Sequence, residues 1–529
     1  NSWLDDLLEH LSKGFLGLTF NCARCHDHKY DPIGQPDYYR LRAFFEPYQI
    51  RTEMVPGEAD FQKDGIPRAF DCNAETPTYL FVRGDEKMPR KNRPLLPGLP
   101  ELLAPSGLPI RPVTLPLEAH TPGLRPHVLE NYLRQAEARI AAAKQTLAQI
   151  REKPPKAEAE AKLALDLAIK SLAAAELQPP MLRARAAADR ARFSQPVAKN
   201  ARELARAAAL AEKKAALATA EENLARAELE LARAAGNAKK TAEQKRNTAR
   251  AARDQASKAL ENPGETYTSL SGALKTKESN VESAASLAKP FPTTSTGRRS
   301  ALAAWMTEAR NPLTARVAVN HIWMRHFGRP LVATVFDFGR KGALPTHPEL
   351  LDWLACELVE NGWSMKHLHR LMLTSDAYRR TSSSAGADSA NRSRDDDNRY
   401  LWRMNPLRME AQVVRDALLY LAGELDERLG GPTIPANDET SRRRSLYFFH
   451  SHNEYNRFLA IFDDANVLEC YRRAESVVPQ QALALQNSRL ALESAEKVAR
   501  RIIASDDAGF ARAAFQTVLG VAPTAEELA

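Results

Sequence analysis

Residues 129–262 restrict the possible fold more than any other part of this 529-residue chain. Ala, Leu, Glu, Lys and Arg dominate there, and aromatic residues almost vanish. These are strong helix formers. Apolar residues recur at three- and four-residue spacing, as in Leu217, Ala220, Leu224, Ala227 and Leu231. Pro154-Pro155, Pro179-Pro180 and Pro196 punctuate the run, and each can restart a helix because proline is tolerated in a first turn. Halves of similar length on either side of Pro196 predict a long antiparallel helical hairpin, an Ala-rich coiled coil. A straight helix of about 65 residues would reach roughly 100 Å. The pattern therefore describes a projecting arm, either one that binds a partner or a structural insertion.

The remaining composition divides the chain into further segments, and the expected class is mainly α. Residues 1–55 read as helix, motif, helix, with Asp37 as the N-cap of the second helix and Tyr38, Leu41, Phe44 and Phe45 on its apolar face. Residues 56–128 form a Pro-rich, irregular segment with short strands, the clearest at Tyr79 to Arg83. Residues 263–297 are Ser/Thr/Gly-rich and read as a linker. Residues 298–529 read as a helical domain, with helices near 298–310, 313–327, 347–361, 364–375, 408–422 and 479–504. Trp305, Trp323, Phe327, Trp353, Leu354 and Trp363 are its expected core, and Ser445 to His450, SLYFFH, its one expected strand.

Apolar and charged fractions of 44% and 26% are those of a water-compatible chain. No apolar run is long enough for a transmembrane segment. The net charge of +8 is spread along helices and interleaved with Glu. Solvated helix faces are expected from that pattern, and no specific nucleic-acid binding. Cys72, Cys356 and Cys470 lie far apart and make no disulfide framework. The chain opens without Met, inside a helical pattern of Trp3, Leu4, Leu7, Leu8 and Leu11. A fragment of a longer protein, with any signal peptide outside it, is the expectation.

The chemistry concentrates in FNCARCHDHKYDP, Phe20 to Pro32. Cys22-Ala-Arg-Cys25-His26 is C-x-x-C-H, the spacing at which two thiols reach the vinyl groups of one haem and the next imidazole reaches its iron. On that reading Cys22 and Cys25 form thioethers to haem c and His26 is the proximal iron ligand. Met54 is the nearest downstream candidate for the distal position, with Met88, His120 and His127 behind it. Phe20, Tyr30, Phe44 and Phe45 are the candidates for apolar cover, and His28 and Asp31 for orienting the loop. Two other readings stay open. Zinc could be held by Cys22, Cys25, His26 or His28, and Asp31, although no second C-x-x-C or H-x-x-x-H lies nearby. The cysteines could also be a structural or redox thiol pair.

The C-terminal domain offers weaker constellations. Asn320, His321, Trp323, His326 and Arg329 gather on one helix and its end. Thr346 and Glu349 have the spacing of a capping box. His367 and His369 sit two apart, off a common helix face. Arg403, Arg408, Glu410, Arg415 and Asp416 suit buried ion pairs better than catalysis, with a carboxylate-binding pocket as the alternative. No nucleotide loop, G-x-S-x-G or H-E-x-x-H is present.

The stretch GLTFNCARCHDHKYDPIGQPDYYRLRAFF closely resembles the end of the second planctomycete-specific cytochrome domain, whose function is unknown. TSTGRRSALAAWM, NPLTARVAVNHIWMRHFGRPLV, THPELLDWLACELVENGWSMKHLHRLMLTSDAYR, DDDNRYLWRMNPLRMEAQVVRDALL and ANVLECYRRAESVVPQQALALQNS resemble the planctomycete-specific domain that usually follows it. One departure is His321, where an Arg is common in N-R-I-W. The resemblance implies an exported protein of the periplasm or cell envelope, with Cys22, Cys25 and His26 as haem-binding candidates. It carries over no catalytic reaction. Electron transfer with redox or envelope protein partners is the favoured function. The alternatives are a non-redox cell-envelope scaffold or carbohydrate-processing accessory with a structural Cys/His metal site, and a hydrolase sited in the C-terminal domain.

Overall fold

A computed structural model describes residues 2–194, 196–278, 282–467, 472–504 and 506–528; Cys470 lies outside them. The chain is mainly α, with few and short strands. In chain order the principal elements begin with helices α1 (Ser2–Leu11) and α2 (Gln35–Arg42) and strands β1 (Tyr48–Glu53), β2 (Ile66–Asp71) and β3 (Val113–Thr114). Helices α3 (Pro126–Glu152), α4 (Glu158–Glu176), α5 (Gln178–Phe193), α6 (Ala201–Arg233) and α7 (Asn237–Glu261) follow. Strands β4 (Ala273–Lys275) and β5 (Thr294–Ser295) precede α8 (Arg298–Met306), α9 (Thr314–Phe327), α10 (Pro348–Glu360) and α11 (Met365–Leu373). The principal helices end with α12 (Ala411–Leu421), α13 (Pro479–Asn487), α14 (Arg489–Arg501) and α15 (Asp507–Leu519).

The chain forms two compact units, and these do not follow the consecutive segments expected from composition. Unit one comprises residues 1–46, 77–110 and 298–529; unit two comprises 47–76 and 111–297. Composition tracks local helix propensity, whereas the units are defined by which apolar faces meet.

In unit one, α1 turns Leu4 and Leu8 inward, four residues apart on one face. They join Phe20, Tyr39, Phe44 and Leu302 in a single core. Asp37 is not the N-cap of α2: it lies in the first turn and its Oδ2 accepts the Gly34 N–H at 3.0 Å. Gly34 is the N-cap, three residues earlier, and Pro36 with its preset φ suits the first turn. A second core gathers Val319, Trp323, Phe327, Leu354, Leu358 and Leu368. Trp323 and Phe327 stack with centroids 3.9 Å apart. Trp353, expected in this core, is instead 48% exposed. It precedes Leu354 by one residue, and a helix that buries Leu354 must turn Trp353 aside.

The two strands read from the sequence are absent. Ser445–Tyr447 is a 3-10 turn. Asp416 Oδ1 accepts both the Ser445 N–H (2.8 Å) and its hydroxyl (2.6 Å), curling the chain where a strand would begin. Around Tyr79 to Arg83 only isolated bridges form, Thr78 to Leu95 and Phe81 to Pro89. Pro89 has no N–H to extend that pairing, and Arg83 at φ 53° leaves the extended region. Thr346 does not cap α10 either, because its hydroxyl goes to the Leu331 carbonyl. The dense charge set is only partly buried. Arg415 is 2% exposed and donates to the Arg443 and Ser441 carbonyls, while Glu410 bridges Arg325 and Arg473 nearer the surface.

Unit two is an antiparallel sheet, β2-β1-β4, with a helical arm. In the sheet Arg51 pairs with Arg68 and Lys275, and Glu53 with Ile66 and Ala273. The arm is α3 to α7 rather than two uninterrupted helices. Breaks fall around Pro154-Pro155, in the 194–200 stretch that holds Pro196, and at Gly236, whose φ of 55° reverses the chain before α7. Pro179-Pro180 sits in the first turn of α5, separating it from α4. The longest member, α6, has 33 residues and spans about 50 Å. It packs against α4, α5 and α7. Buried Ala208, Ala209, Ala215 and Ala225 on α6 let helices approach closely. No described helix is long and apolar enough to cross a membrane.

Candidate functional site

Phe20 to Arg24 forms one 3-10 turn, followed by Cys25 with φ −102° and ψ −32°. Cys22 lies within the turn and Cys25 caps its C-terminal end. Both are free thiols and both are exposed. Phe20 and Ala23 point into the core instead and anchor the turn.

The next residue completes a donor set. His26 is exposed, and its Nδ1 lies 2.7 Å from the Asp27 carbonyl oxygen. A carbonyl can only accept, so Nδ1 carries the proton and Nε2 keeps a bare lone pair. That tautomer is the one an iron-ligating imidazole needs, with its other nitrogen fixed by a hydrogen bond. Two exposed thiols and an imidazole with its Nε2 unengaged are the donor types that covalent haem attachment would use.

His28 and Asp31 are loop-builders, as expected. The His28 side chain is buried, and its Nδ1 accepts the Asp31 N–H at 2.8 Å. Its Nε2 therefore donates to Thr19 Oγ1, 3.0 Å away. The Asp31 carboxylate also lies 3.5 Å from Nδ1. An Nδ1 that accepts an amide carries no proton, so this contact is not an ion pair. Asp31 Oδ1 takes the Arg340 N–H at 2.8 Å. With both His28 nitrogens and Asp31 committed, the four-residue zinc set is not assembled. Among the described residues, no group of three His, Cys, Asp or Glu is placed to hold a metal ion.

Residues outside the motif hold the loop in place. Gln35 donates to the Arg24 carbonyl (3.0 Å) and the Phe81 carbonyl (3.2 Å), and Tyr39 donates its hydroxyl to Arg24 O (2.9 Å). Gly84 sits against Cys25: a Cβ there would meet Sγ at 2.7 Å, and its φ is +76°. These partners come from distant sequence and carry no motif of their own. Gly84→Val is expected to displace the Cys25 thiol and strain the backbone by about 1–2 kcal/mol. Thiol-alkylation rates at Cys22 and Cys25 check it: Cys25 changes at least severalfold and Cys22 little, and equal rates in both proteins contradict it.

The remaining candidates lie elsewhere. Phe20, Phe44 and Phe45 are buried in the core of unit one, so of the four expected cover residues only Tyr30, 43% exposed, lies at the surface. Met54 is buried in unit two, packed with Val128, Met181 and Leu182. The His127 ring contacts the Met54 carbonyl at 3.0 Å. Met88 is exposed in unit one. Sequence spacing gave no hint of one further pair: His326 on α9 and His369 on α11 meet with Nε2 and Nδ1 2.7 Å apart. Burial, and then the neighbouring His369, holds His326 below its ordinary pKa. Two rings sharing one hydrogen bond here serve helix packing, beside Tyr378.

Fold and motif together define a largely helical protein with an exposed C-x-x-C-H loop anchored on a helical domain. Residues 1–50 match the family described as PSCyt2, protein of unknown function (DUF1549), and residues 298–529 match PSD1, protein of unknown function (DUF1553). Both are planctomycete cytochrome-associated domains of unknown function, and they stand in the expected order. No curated protein and no solved structure matches it.

Proposed function

We propose that this chain is part of an exported c-type haem protein that transfers electrons to redox or envelope protein partners. The observation that carries the reading is His26, whose Nδ1 is tied to its own loop and whose Nε2 is left unengaged in the same C-x-x-C-H motif as two exposed thiols. Cys22 and Cys25 would each hold the haem through a thioether, and His26 would bind its iron. The haem, when bound, supplies a one-electron carrier. The chain's own contribution is to hold the three donors in a loop that Gln35, Tyr39 and Gly84 keep in place. Lys29 and Lys341 lie over the Tyr30 ring at 5.3 and 4.8 Å, putting two cations beside the loop that suit an acidic partner face. Met54 as distal ligand would require the unit-two core to open. A distal ligand from elsewhere fits the geometry better.

A rival reading is a structural loop in a non-redox envelope scaffold. The completeness of the loop's own hydrogen bonding, through His28, Asp31 and Gln35, favours it. One experiment separates the two. The full chain is expressed with the cytochrome c maturation machinery and exported, and the denatured protein is examined as its pyridine haemochrome. Covalent haem near one per chain is expected, and a Cys22→Ser, Cys25→Ser double variant should lose all of it. Iron-free protein from a competent strain, or haem that persists in the double variant, overturns the proposal.

A further inference from the structure

The PSD1-matched part of unit one contains a cavity of about 800 Å³, within the range of small-molecule sites. Its floor is apolar, built from the buried side chains of Trp323, Phe327, Leu331, Leu354 and Met372. Four arginines border it: Arg329, Arg380, Arg399 and Arg472. Arg329 donates to the Asp397 carbonyl, Arg380 to the Trp402 carbonyl at 3.2 Å and Arg399 to the Thr346 carbonyl at 3.1 Å. These are backbone partners. Among the described residues, none of the four guanidiniums forms an ion pair with a carboxylate. Arginines elsewhere in the domain, such as Arg316 and Arg325, have one.

The wall beside these arginines is preorganised. Asn398 and Leu401 hold left-handed backbone, φ 54° and 52°, a conformation that persists in non-glycine residues only where the surroundings enforce it. Asn398 is buried and does the enforcing. Its Nδ2 donates to Arg403 O (2.8 Å) and Asn405 Oδ1 (2.9 Å), and its Oδ1 accepts the Arg403 N–H (3.1 Å). At the mouth, Tyr400 and Trp353 expose aromatic faces to solvent. His347 stands edge-on to Tyr400 at 5.7 Å. Burial, and next the Arg399 charge, keeps His347 below its ordinary pKa, against an opposing pull from Asp395. Asp397 also borders the cavity, and the four arginines outnumber it, leaving a net positive rim over an apolar surface.

We infer that this cavity binds a small organic carboxylate, with an aromatic or apolar body on the Trp323 floor and the anionic head among the arginines. Guanidinium forks match a planar carboxylate in geometry and charge, and the apolar floor supplies contact that a bare anion cannot use. The site is separate from the C-x-x-C-H loop and does not depend on haem.

The test uses the full chain and three probes: naphthalene carboxylate, its neutral analogue naphthyl methanol, and acetate as the head alone, with binding read by calorimetry. The carboxylate is expected to bind at one site, about tenfold or more tighter than the alcohol, and acetate not detectably. Arg380→Gln with Arg399→Gln should reduce the carboxylate to the level of the alcohol and leave the alcohol unchanged. Both side chains are exposed, so the fold should hold, and far-UV circular dichroism checks it. Ala333→Trp, at an exposed lining position, should block both aromatic probes. The inference is overturned if acid and alcohol bind equally, if neither binds, or if either variant leaves the acid's affinity unchanged. The acid–alcohol comparison needs no variant and decides the matter even if a variant misfolds.

Discussion

Glu53→Ala is expected to destabilise unit two by about 3–5 kcal/mol while unit one keeps its stability. Glu53 is 2% exposed, and both its oxygens accept hydrogen bonds. Oε1 accepts Arg51 Nε at 3.0 Å and Nη2 at 2.7 Å; Oε2 accepts Arg68 Nε at 2.6 Å and Arg125 Nη1 at 2.5 Å. Arg51 is itself buried, with its guanidinium 5.5 Å from the Phe70 ring centroid and 4.4 Å from that of Phe291. Removing the carboxylate strands that charge in the interior, which costs about 3–5 kcal/mol. A whole domain is stable by only about 5–15 kcal/mol. The readout is unusually clean. All six tryptophans, Trp3, Trp305, Trp323, Trp353, Trp363 and Trp402, belong to unit one, whereas α3 to α7 dominate the helix signal of unit two. In urea, the far-UV dichroism transition should move to lower concentration and the tryptophan fluorescence transition should not. Two unmoved transitions would refute the expectation.

Acid should reveal the same group. Burial alone would raise the Glu53 carboxyl, but hydrogen bonds from Arg125, Arg51 and Arg68 outweigh it, so the folded value lies below the ordinary one. The unfolded chain therefore binds the proton first. Glu53's contribution is complete above the ordinary glutamate value of about 4.3 and is lost as pH falls through it toward the folded value. Glu53→Ala should lack this limb of the stability profile.

Asn320→Ala should do the converse, weakening unit one and sparing unit two. Asn320 is wholly buried on α9. Its Nδ2 donates to Val332 O at 3.0 Å, and its Oδ1 accepts the Val332 N–H at 2.9 Å. Alanine leaves both backbone groups unpaired in the interior, at about 1–3 kcal/mol each. Trp323, three residues on and stacked on Phe327, reports the loss directly. The fluorescence transition should shift to lower urea, and a change under about 1 kcal/mol would show that Val332 finds other partners.

Much of the helical architecture is legible in the sequence, because amphipathic spacing and proline act locally. Helices α9, α10 and α11 begin and end within two residues of the expected 313–327, 347–361 and 364–375. The C-x-x-C-H loop is legible for the same reason. What the spacing does not carry is long-range pairing. SLYFFH has every local mark of a strand, yet Asp416 curls it from 29 residues away. Asp37 and Thr346 look like caps, yet neighbouring residues claim those roles. The hydrogen bonds of Gln35 to Phe81, of Asp31 to Arg340 and of His326 to His369 join residues no local pattern connects. The same holds for the four arginines around the PSD1 cavity, which are drawn from four separate stretches.

The core of unit one crosses the boundary between its two named families. Leu4, Leu8, Phe20, Tyr39 and Phe44 from the first matched segment pack in one cluster with Leu302 and Met306 from the second. A recombination event that kept one segment and lost the other would leave an open apolar face of several large side chains, and the product would aggregate or be degraded. Selection should therefore transmit the pair as a single heritable block, while the helical arm encoded between them remains free to lengthen, shorten or diverge.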